Sequence, residues 1–475
     1  MIELSENISG YILKHFGEEY LKNYFAYSQS DYNPYMRVAP NVNHDNLIES
    51  LSGYGIKLEK IPNLDNAYKI LEGSNLAGKT LDFVLGRYYL QSLSSMIPPI
   101  ILNPASDDKV LDLCAAPGSK TTQLAELMNY NGTLIANEVS MDRLKSLVFN
   151  VDKMNLANVG ILQGKGELLS KKYQNYFDKI LVDAPCSGLG IIQKKGEVSN
   201  WWNENKLVTF TELQTKLLVA AIKMCKPGGE IVYSTCTVSI EENELVLNKV
   251  LENYPVELVE IKLPVKSQDS ILQFGEKNLR KDISLARRIL PWEINSEGFF
   301  ISKLRKIEAT EKSENGMKIS ENYSLINSMS GKIKSHLELL SEYYGIEKNY
   351  LAQFRYLMKS KDIYFVNKDW QTFDIDSFVR VGSKLGSVEK RGYIQLHTLA
   401  AQIFSEKITK NIIELNQKNE IEIYLKGGII KRDFGETGQK IVKYRNEVIG
   451  TAVVSKEGLK SQFPREYRTQ EIIVA

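Results

Sequence analysis

Residues 109–121 read Lys-Val-Leu-Asp-Leu-Cys-Ala-Ala-Pro-Gly-Ser-Lys-Thr, and this stretch decides the fold. Val110 to Leu113 has the length and apolarity of a buried strand. Cys114 to Lys120 is a loop of small residues, and the helix that follows places Leu124, Leu127 and Met128 on one face. Small residues let backbone come close to a nucleotide-like ligand, and a helix start offers free N–H groups. The Gly-Lys-Ser/Thr spacing of a phosphate-binding P-loop is absent.

The same alternation continues outward. Thr133 to Ala136 reads as a second strand ending near Glu138, where a carboxylate can accept the hydroxyls of a ribose. Ser140 caps a helix carrying Leu144, Leu147, Val148 and Val151. Val159–Leu162, Lys179–Val182 and Glu230–Thr235 are the next strands. Helices are expected around Leu213–Met224, broken by Lys226-Pro-Gly-Gly229, and over Glu242–Leu251. Gly298 to Leu304 closes the series as a last strand. Strands alternating with helices predict an α/β, Rossmann-like parallel sheet covered on both faces, with ligands beyond the carboxyl ends of the strands.

Beyond this block, the 475-residue chain is long enough for several domains. Residues 1–100 read as a mixed, mostly helical RNA-binding extension, 101–306 as the α/β catalytic domain and 323–475 as an α+β, β-rich C-terminal RNA-binding region. Residues 305–322 are charged, without apolar period, and read as a linker. In the tail, a helix is expected near Ile333–Tyr344, and strands at Glu420–Leu425, Lys440–Tyr444 and Val448–Val454, the last two joined by a turn at Asn446. From Tyr323 onward there are 24 Lys+Arg against 18 Asp+Glu, leaving 36 against 40 in the remainder. A basic tail on a slightly acidic body suits a nucleic-acid partner. Lys426, Lys431, Arg432, Lys440, Lys443 and Arg445, interleaved with Phe434 and Tyr444, suit RNA backbone and base stacking. Composition is that of a globular protein, with 43% hydrophobic and 25% charged residues. No apolar run is long enough to span a bilayer, and no secretory signal is recognisable. The expectation is a cytoplasmic monomer.

Four cysteines are present, and no two sit at a zinc-ligand spacing, so no metal is expected. Two of them end strands: Cys186 in Asp183-Ala-Pro-Cys-Ser-Gly188 and Cys236 in Tyr233-Ser-Thr-Cys-Thr237. A lone cysteine at a strand end is more often packing than nucleophile. Two at one edge of one sheet, one with an aspartate nearby, point to chemistry. The Cys114 and Cys225 thiols are assigned to packing.

Together DLCAAPGSKT, ANEVSMDR, LVDAPCSGLG, KPGGEIVYSTCT followed by EENE, and the upstream GRYYLQSLSSM resemble the Sun-type RNA cytosine-5 methyltransferases over roughly residues 10–305. The tail is similar, more loosely, to the PUA-like domain of bacterial members that methylate small-subunit ribosomal RNA, over about 385–475. The resemblance implies S-adenosyl-L-methionine as cofactor, held by Cys114, Ala115, Ala116, Pro117, Gly118, Ser119, Lys120, Glu138 and Asp183. It implies Cys236 as the nucleophile, Cys186 as the helper in product release and Asp183 as the group that stabilises the cytosine. It also implies an RNA partner, small-subunit ribosomal RNA or the subunit itself, and neither DNA nor membrane. Transfer RNA is the alternative substrate. A catalytically decayed RNA-binding assembly factor is the alternative class, and intact Cys186, Cys236 and Asp183 speak against it. The sequence departs from the family at two places. Lys165 stands where an acidic residue near the adenine is common, so either that contact is lost or Glu167 supplies it. Trp292 follows Arg288-Ile-Leu-Pro291, where a histidine is common.

Overall fold

The computed structural model describes residues 2–310, 322–468 and 471–474. Most of the expected linker, residues 311–321, lies outside them. Among the described residues no helix is long and apolar enough to cross a membrane.

A long helix α1 (Glu6–Gln29) opens the chain, its first turn capped by Ser5. Strands β1 (Tyr35–Val38), β2 (Lys57–Lys60), β3 (Ala67–Glu72) and β4 (Tyr88–Leu90) then form a four-stranded sheet in the order β2-β3-β1-β4, with every neighbouring pair antiparallel. This sheet is more strand than the mostly helical reading of residues 1–100 allowed. Its strands are short, and β1 is buried along its whole length, so no polar–apolar alternation marks it.

Helix α2 (Leu93–Leu102) leads into the central sheet. Its parallel core comprises β5 (Lys109–Asp112), β6 (Thr133–Glu138), β7 (Val159–Gln163), β8 (Phe177–Asp183) and β9 (Cys225–Thr235). The order is β9-β8-β5-β6-β7, so the chain reverses direction across the sheet at β5. Such a reversal opens a crevice beyond the strand ends. Between these strands run α3 (Ser119–Leu127), α4 (Met141–Lys153), capped by Ser140 as expected, and α5 (Glu204–Met224). Helix α6 (Glu244–Asn253) follows β9. Val110 and Leu134 belong to one apolar cluster, and Leu111 and Ile135 to the other, as alternation along a strand buried on both faces requires. Lys226-Pro-Gly-Gly229 is a bulge within β9, which begins at Cys225 rather than Glu230.

On the β9 side the sheet is extended antiparallel by β11 (Phe299–Lys306), then β10 (Arg287–Ile289). On the other side the edge strand comes from the tail: β12 (Phe378–Val381) pairs antiparallel with β7. Trp370 and Phe378 pack edge-to-face there, and Arg380 forks onto Asp152 at the end of α4. A Cβ on Gly160 of β7 would meet Trp370 at 2.5 Å and Phe378 at 2.7 Å. Gly160→Ala is therefore expected to destabilise the whole chain by about 1–3 kcal/mol through overpacking, read as a lowered midpoint in urea with unchanged slope.

The rest of the tail forms two five-stranded sheets. Lys334–Tyr344 is helical, and Gly438–Tyr444 and Glu447–Ser455 form the expected hairpin around Arg445 and Asn446, both at positive φ. Lys418–Leu425, however, is a helix and not a strand. Glu420, Ile421, Tyr424 and Leu425 are buried at helical spacing, while Ile423 of the apparent Ile-x-Ile-x-Leu alternation is exposed.

Candidate active site

The carboxyl ends of β5, β6, β8 and β9 converge on one crevice. Asp112 ends β5, fully buried, and its Oδ2 accepts from Thr121 Oγ1 at 2.7 Å. Burial pushes its carboxyl up to about 7, opposed by the Thr121 hydrogen bond and helped by the nearby Asp183 charge. The loop that follows is held from outside. Ala115 N donates to Asn137 O, Arg143 donates to Ala116 O, and Asn150 donates to Pro117 O. Gly118 sits at φ +110°, a conformation L side chains rarely adopt, and α3 starts with no side-chain cap, leaving its first amides available. Glu138, buried at the end of β6, accepts from Ser140 N at 2.8 Å and lies 3.5 Å from the Arg143 guanidinium. Acidic groups at two strand ends and an uncapped helix start suit a cationic, adenosine-bearing cofactor.

Lys120, buried in the first turn of α3, donates to Asp183 Oδ2 at 2.7 Å and to Ser95 Oγ at 2.9 Å. Burial pulls its ammonium down, but the Asp183 carboxylate outweighs this and leaves it above its ordinary value. Ser234 donates to the other Asp183 oxygen at 2.8 Å. Asp183 is thereby fixed at the end of β8 while part of its carboxylate stays open to the crevice.

Cys186 and Cys236 meet across this edge, with their Sγ atoms 3.2 Å apart, and both are free thiols. The hydrogen bond to Cys236 is the largest influence on Cys186 and, with burial and the charges of Cys236, Glu242 and Asp183, lifts its thiol well above the ordinary range. These influences favour the protonated form of Cys186, and either sulfur of the pair can be the donor.

The two cysteine loops are tied together by residues that sequence reading did not single out. Glu242 Oε1 accepts from Ser187 N at 2.8 Å and Gln214 Nε2 at 2.9 Å, and its Oε2 from Ser187 Oγ at 2.5 Å and Ser239 Oγ at 3.0 Å. Ser187 and Thr237, each following a cysteine, pair at 3.0 Å. Gly190 N donates to Cys236 O, and Gly190 O accepts from Gly298 N. Asn243 holds Thr235 and Thr237, Glu244 pairs with Arg288, and Glu241 accepts from Tyr11 OH of α1 at 2.5 Å. The EENE segment, legible only as a motif, is the clamp of the site.

Other expectations resolve more plainly. Cys225 is buried in the core. The Cys114 thiol packs against that same core, lifted well above its ordinary range by burial and by the nearby Asp112, Asp183 and Glu138. Lys165 is exposed and Glu167 half-buried on the turn after β7. Trp292 packs edge-on to Tyr20 of α1. Of the basic run in the tail, Lys440 points inward onto Asn411 at 2.6 Å, Arg432 is paired with Glu420 and stacked on Phe434, and Lys426 and Lys431 remain exposed.

The fold and the site define an S-adenosylmethionine-dependent methyltransferase. The family described as 16S rRNA methyltransferase RsmB/F matches residues 99–305. Ribosomal RNA small subunit methyltransferase F of Shewanella piezotolerans is 30% identical over 462 residues, covering 94% of this chain and 93% of that protein. The tRNA (cytosine(49)-C(5))-methyltransferase of Pyrococcus abyssi is 34% identical over 286 residues, covering 60% of this chain and 92% of its own length. Among solved structures, a methyltransferase homolog protein from Pyrococcus horikoshii is 30% identical with a TM-score of 0.56, covering 62% of this chain and 93% of that one. NSun6 from the same organism, solved with SFG, shares the fold at 23% identity and a TM-score of 0.54, covering 64% of this chain and 98% of that one. The chain belongs to the RsmB/F family of Sun-type RNA cytosine-5 methyltransferases.

Proposed function

We propose that the chain methylates carbon 5 of cytosine in small-subunit ribosomal RNA, as a monomer in the cytoplasm, by a covalent route that uses both cysteines. The 3.2 Å separation of Cys186 and Cys236 carries this reading. Residues 114–120, Glu138 and Asp183 would hold S-adenosylmethionine, which when bound supplies an electrophilic methyl group. Carbon 5 of cytosine is a poor nucleophile. The Cys236 thiolate adds to carbon 6 and pushes the ring electrons towards carbon 5, which makes it enamine-like. Asp183, oriented by Lys120 and Ser234, faces ring nitrogen 3 and supports its protonated form. The base must leave its stack to enter the crevice.

Once carbon 5 carries the methyl group, its proton has to leave before the Cys236–carbon 6 bond can break. In the resting pair Cys186 is held protonated mainly by its hydrogen bond to Cys236. When the Cys236 sulfur is bonded to carbon 6 it no longer has a proton or a charge to share with Cys186, and that influence falls away. Cys186 then releases its proton to solvent water more readily and, as the thiolate, takes the one from carbon 5 directly or through a water. The electrons left behind restore the ring and expel Cys236 as thiolate.

Support for a ribosomal substrate comes from coverage. The small-subunit enzyme of S. piezotolerans aligns over nearly the whole chain, tail included, whereas the transfer-RNA enzyme aligns over 60% of it. Radiolabelled S-adenosylmethionine offered with small ribosomal subunits, naked small-subunit RNA and transfer RNA separates the substrates. The expected product is 5-methylcytosine in the ribosomal RNA, and label confined to transfer RNA would overturn the assignment.

A further inference from the structure

Arg37 lies at the centre of β1, in the N-terminal sheet, and is fully buried. Its side chain reaches the helix that follows the cofactor loop. Nε and Nη2 fork onto the Glu126 carboxylate at 2.7 and 2.9 Å, Nη2 donates to Thr122 Oγ1 at 3.0 Å, and Nη1 donates to Ser119 O at 3.3 Å. These partners span α3 from its first residue to its last turn. Nη1 also donates to Gln91 Oε1, and Gln91 Nε2 donates onward to Gln123 Oε1 at 3.1 Å. The first turn of α3, already tied by Lys120 to Asp183 and Ser95 and by Thr121 to Asp112, is tied a further time to this neighbouring sheet. The same unit grips α4: Lys153 Nζ sits 3.7 Å over the Phe83 ring and 4.8 Å over the Tyr89 ring. The two helices that begin at the loops after β5 and β6 are thus both held by residues that contribute no group to the crevice.

We infer that Arg37 is a positioning residue for the cofactor, fixing α3 and with it the 114–118 loop, so that the N-terminal sheet is part of the cofactor-binding machinery. The inference rests on the reading of 114–120 and Glu138 as the cofactor cradle. A planar five-donor group is what this role requires, since a lysine ammonium cannot fork onto Glu126 while also reaching Thr122 and Ser119.

The test uses the full chain. Removing Arg37 alone would leave Glu126 buried and unpaired, so the informative variant is the double substitution Arg37→Leu/Glu126→Leu, which keeps the volume and removes both charges. Calorimetric titration with S-adenosylmethionine is expected to show at least a tenfold weaker Kd. The RNA affinity should stay within twofold of wild type. Arg37→Lys, which keeps the charge facing Glu126, should show the same split at smaller amplitude, and it carries the test if the double variant does not fold. Unchanged cofactor affinity in a folded variant overturns the inference, as does an equal fall in RNA affinity, which would mark a purely structural pair. Glu138→Ala is the control on the cradle itself: if it leaves cofactor affinity intact, it is the cradle reading that fails.

Discussion

Cys186→Ala, incubated with substrate RNA and S-adenosylmethionine, is expected to accumulate a protein–RNA adduct that survives denaturant and carries the transferred methyl group. Cys186 lies 3.2 Å from Cys236 but, on the proposed mechanism, is needed only after the methyl group has moved. Its loss leaves Cys236 free to attack and leaves the Lys120–Asp183–Ser234 arrangement untouched. What slows is removal of the proton on carbon 5, so the carbon 6–sulfur bond persists. Electrophoresis in denaturant with labelled RNA reads the adduct, and the label must vanish in the Cys186→Ala/Cys236→Ala double variant. An adduct from Cys236→Ala and none from Cys186→Ala would mean that the two roles are exchanged. Absence of both adduct and product from Cys186→Ala would place Cys186 before methyl transfer rather than after it.

Cys236→Ala should abolish methylation, since removing the nucleophile of a covalent mechanism costs on the order of 10⁴ to 10⁶ in turnover. Cofactor affinity should be nearly unchanged. Cys236 follows β9, whereas the proposed cofactor contacts lie on the loop after β5 and at the ends of β6 and β8. The fold should also survive. The loop that carries Cys236 is held through its backbone, by Gly190 N on Cys236 O and Asn243 on Thr237 O, and neither bond involves the thiol. Single-turnover methylation and calorimetric titration of the same preparation separate the two effects. Wild-type turnover would remove Cys236 from the chemistry altogether.

How much of this is legible in the chain depends on whether the cause is local. The strands of the parallel sheet are short apolar runs buried on both faces, and their composition alone marks them. The crevice follows, because residues at the ends of neighbouring parallel strands meet on one edge, which is why Glu138, Asp183, Cys186 and Cys236 could be placed together from sequence. The clamp could not. Glu242 holds Ser187 and Gln214 across 55 and 28 residues of chain, and nothing near it in sequence announces a buried carboxylate with four donors. Arg37 is hidden for the same reason, 89 residues from Glu126. The helix at Lys418–Leu425 was missed because Ile421, Ile423 and Leu425 also fit a strand, and only the burial of Tyr424 and exposure of Ile423 decide between the periods. The basic run of the tail was overcounted, because charge in a sequence does not say which lysine turns inward to an asparagine.

The edge strand contributed by the tail has a consequence for how the protein is made. Phe378 follows Gln163 by 215 residues. At ribosomal elongation rates of about 5–20 residues per second, β7 leaves the exit tunnel roughly ten to forty seconds before its partner. Throughout that interval one side of an apolar strand, with Gly160 uncovered, presents unpaired amides and carbonyls, the kind of template on which nascent chains aggregate. The seam along β7 is therefore closed only once a segment encoded beyond the linker has been made. A gene cut between the two regions would deliver a methyltransferase sheet with an open seam, and the tail cannot be exchanged between relatives as a free cassette unless the strand that closes that seam travels with it.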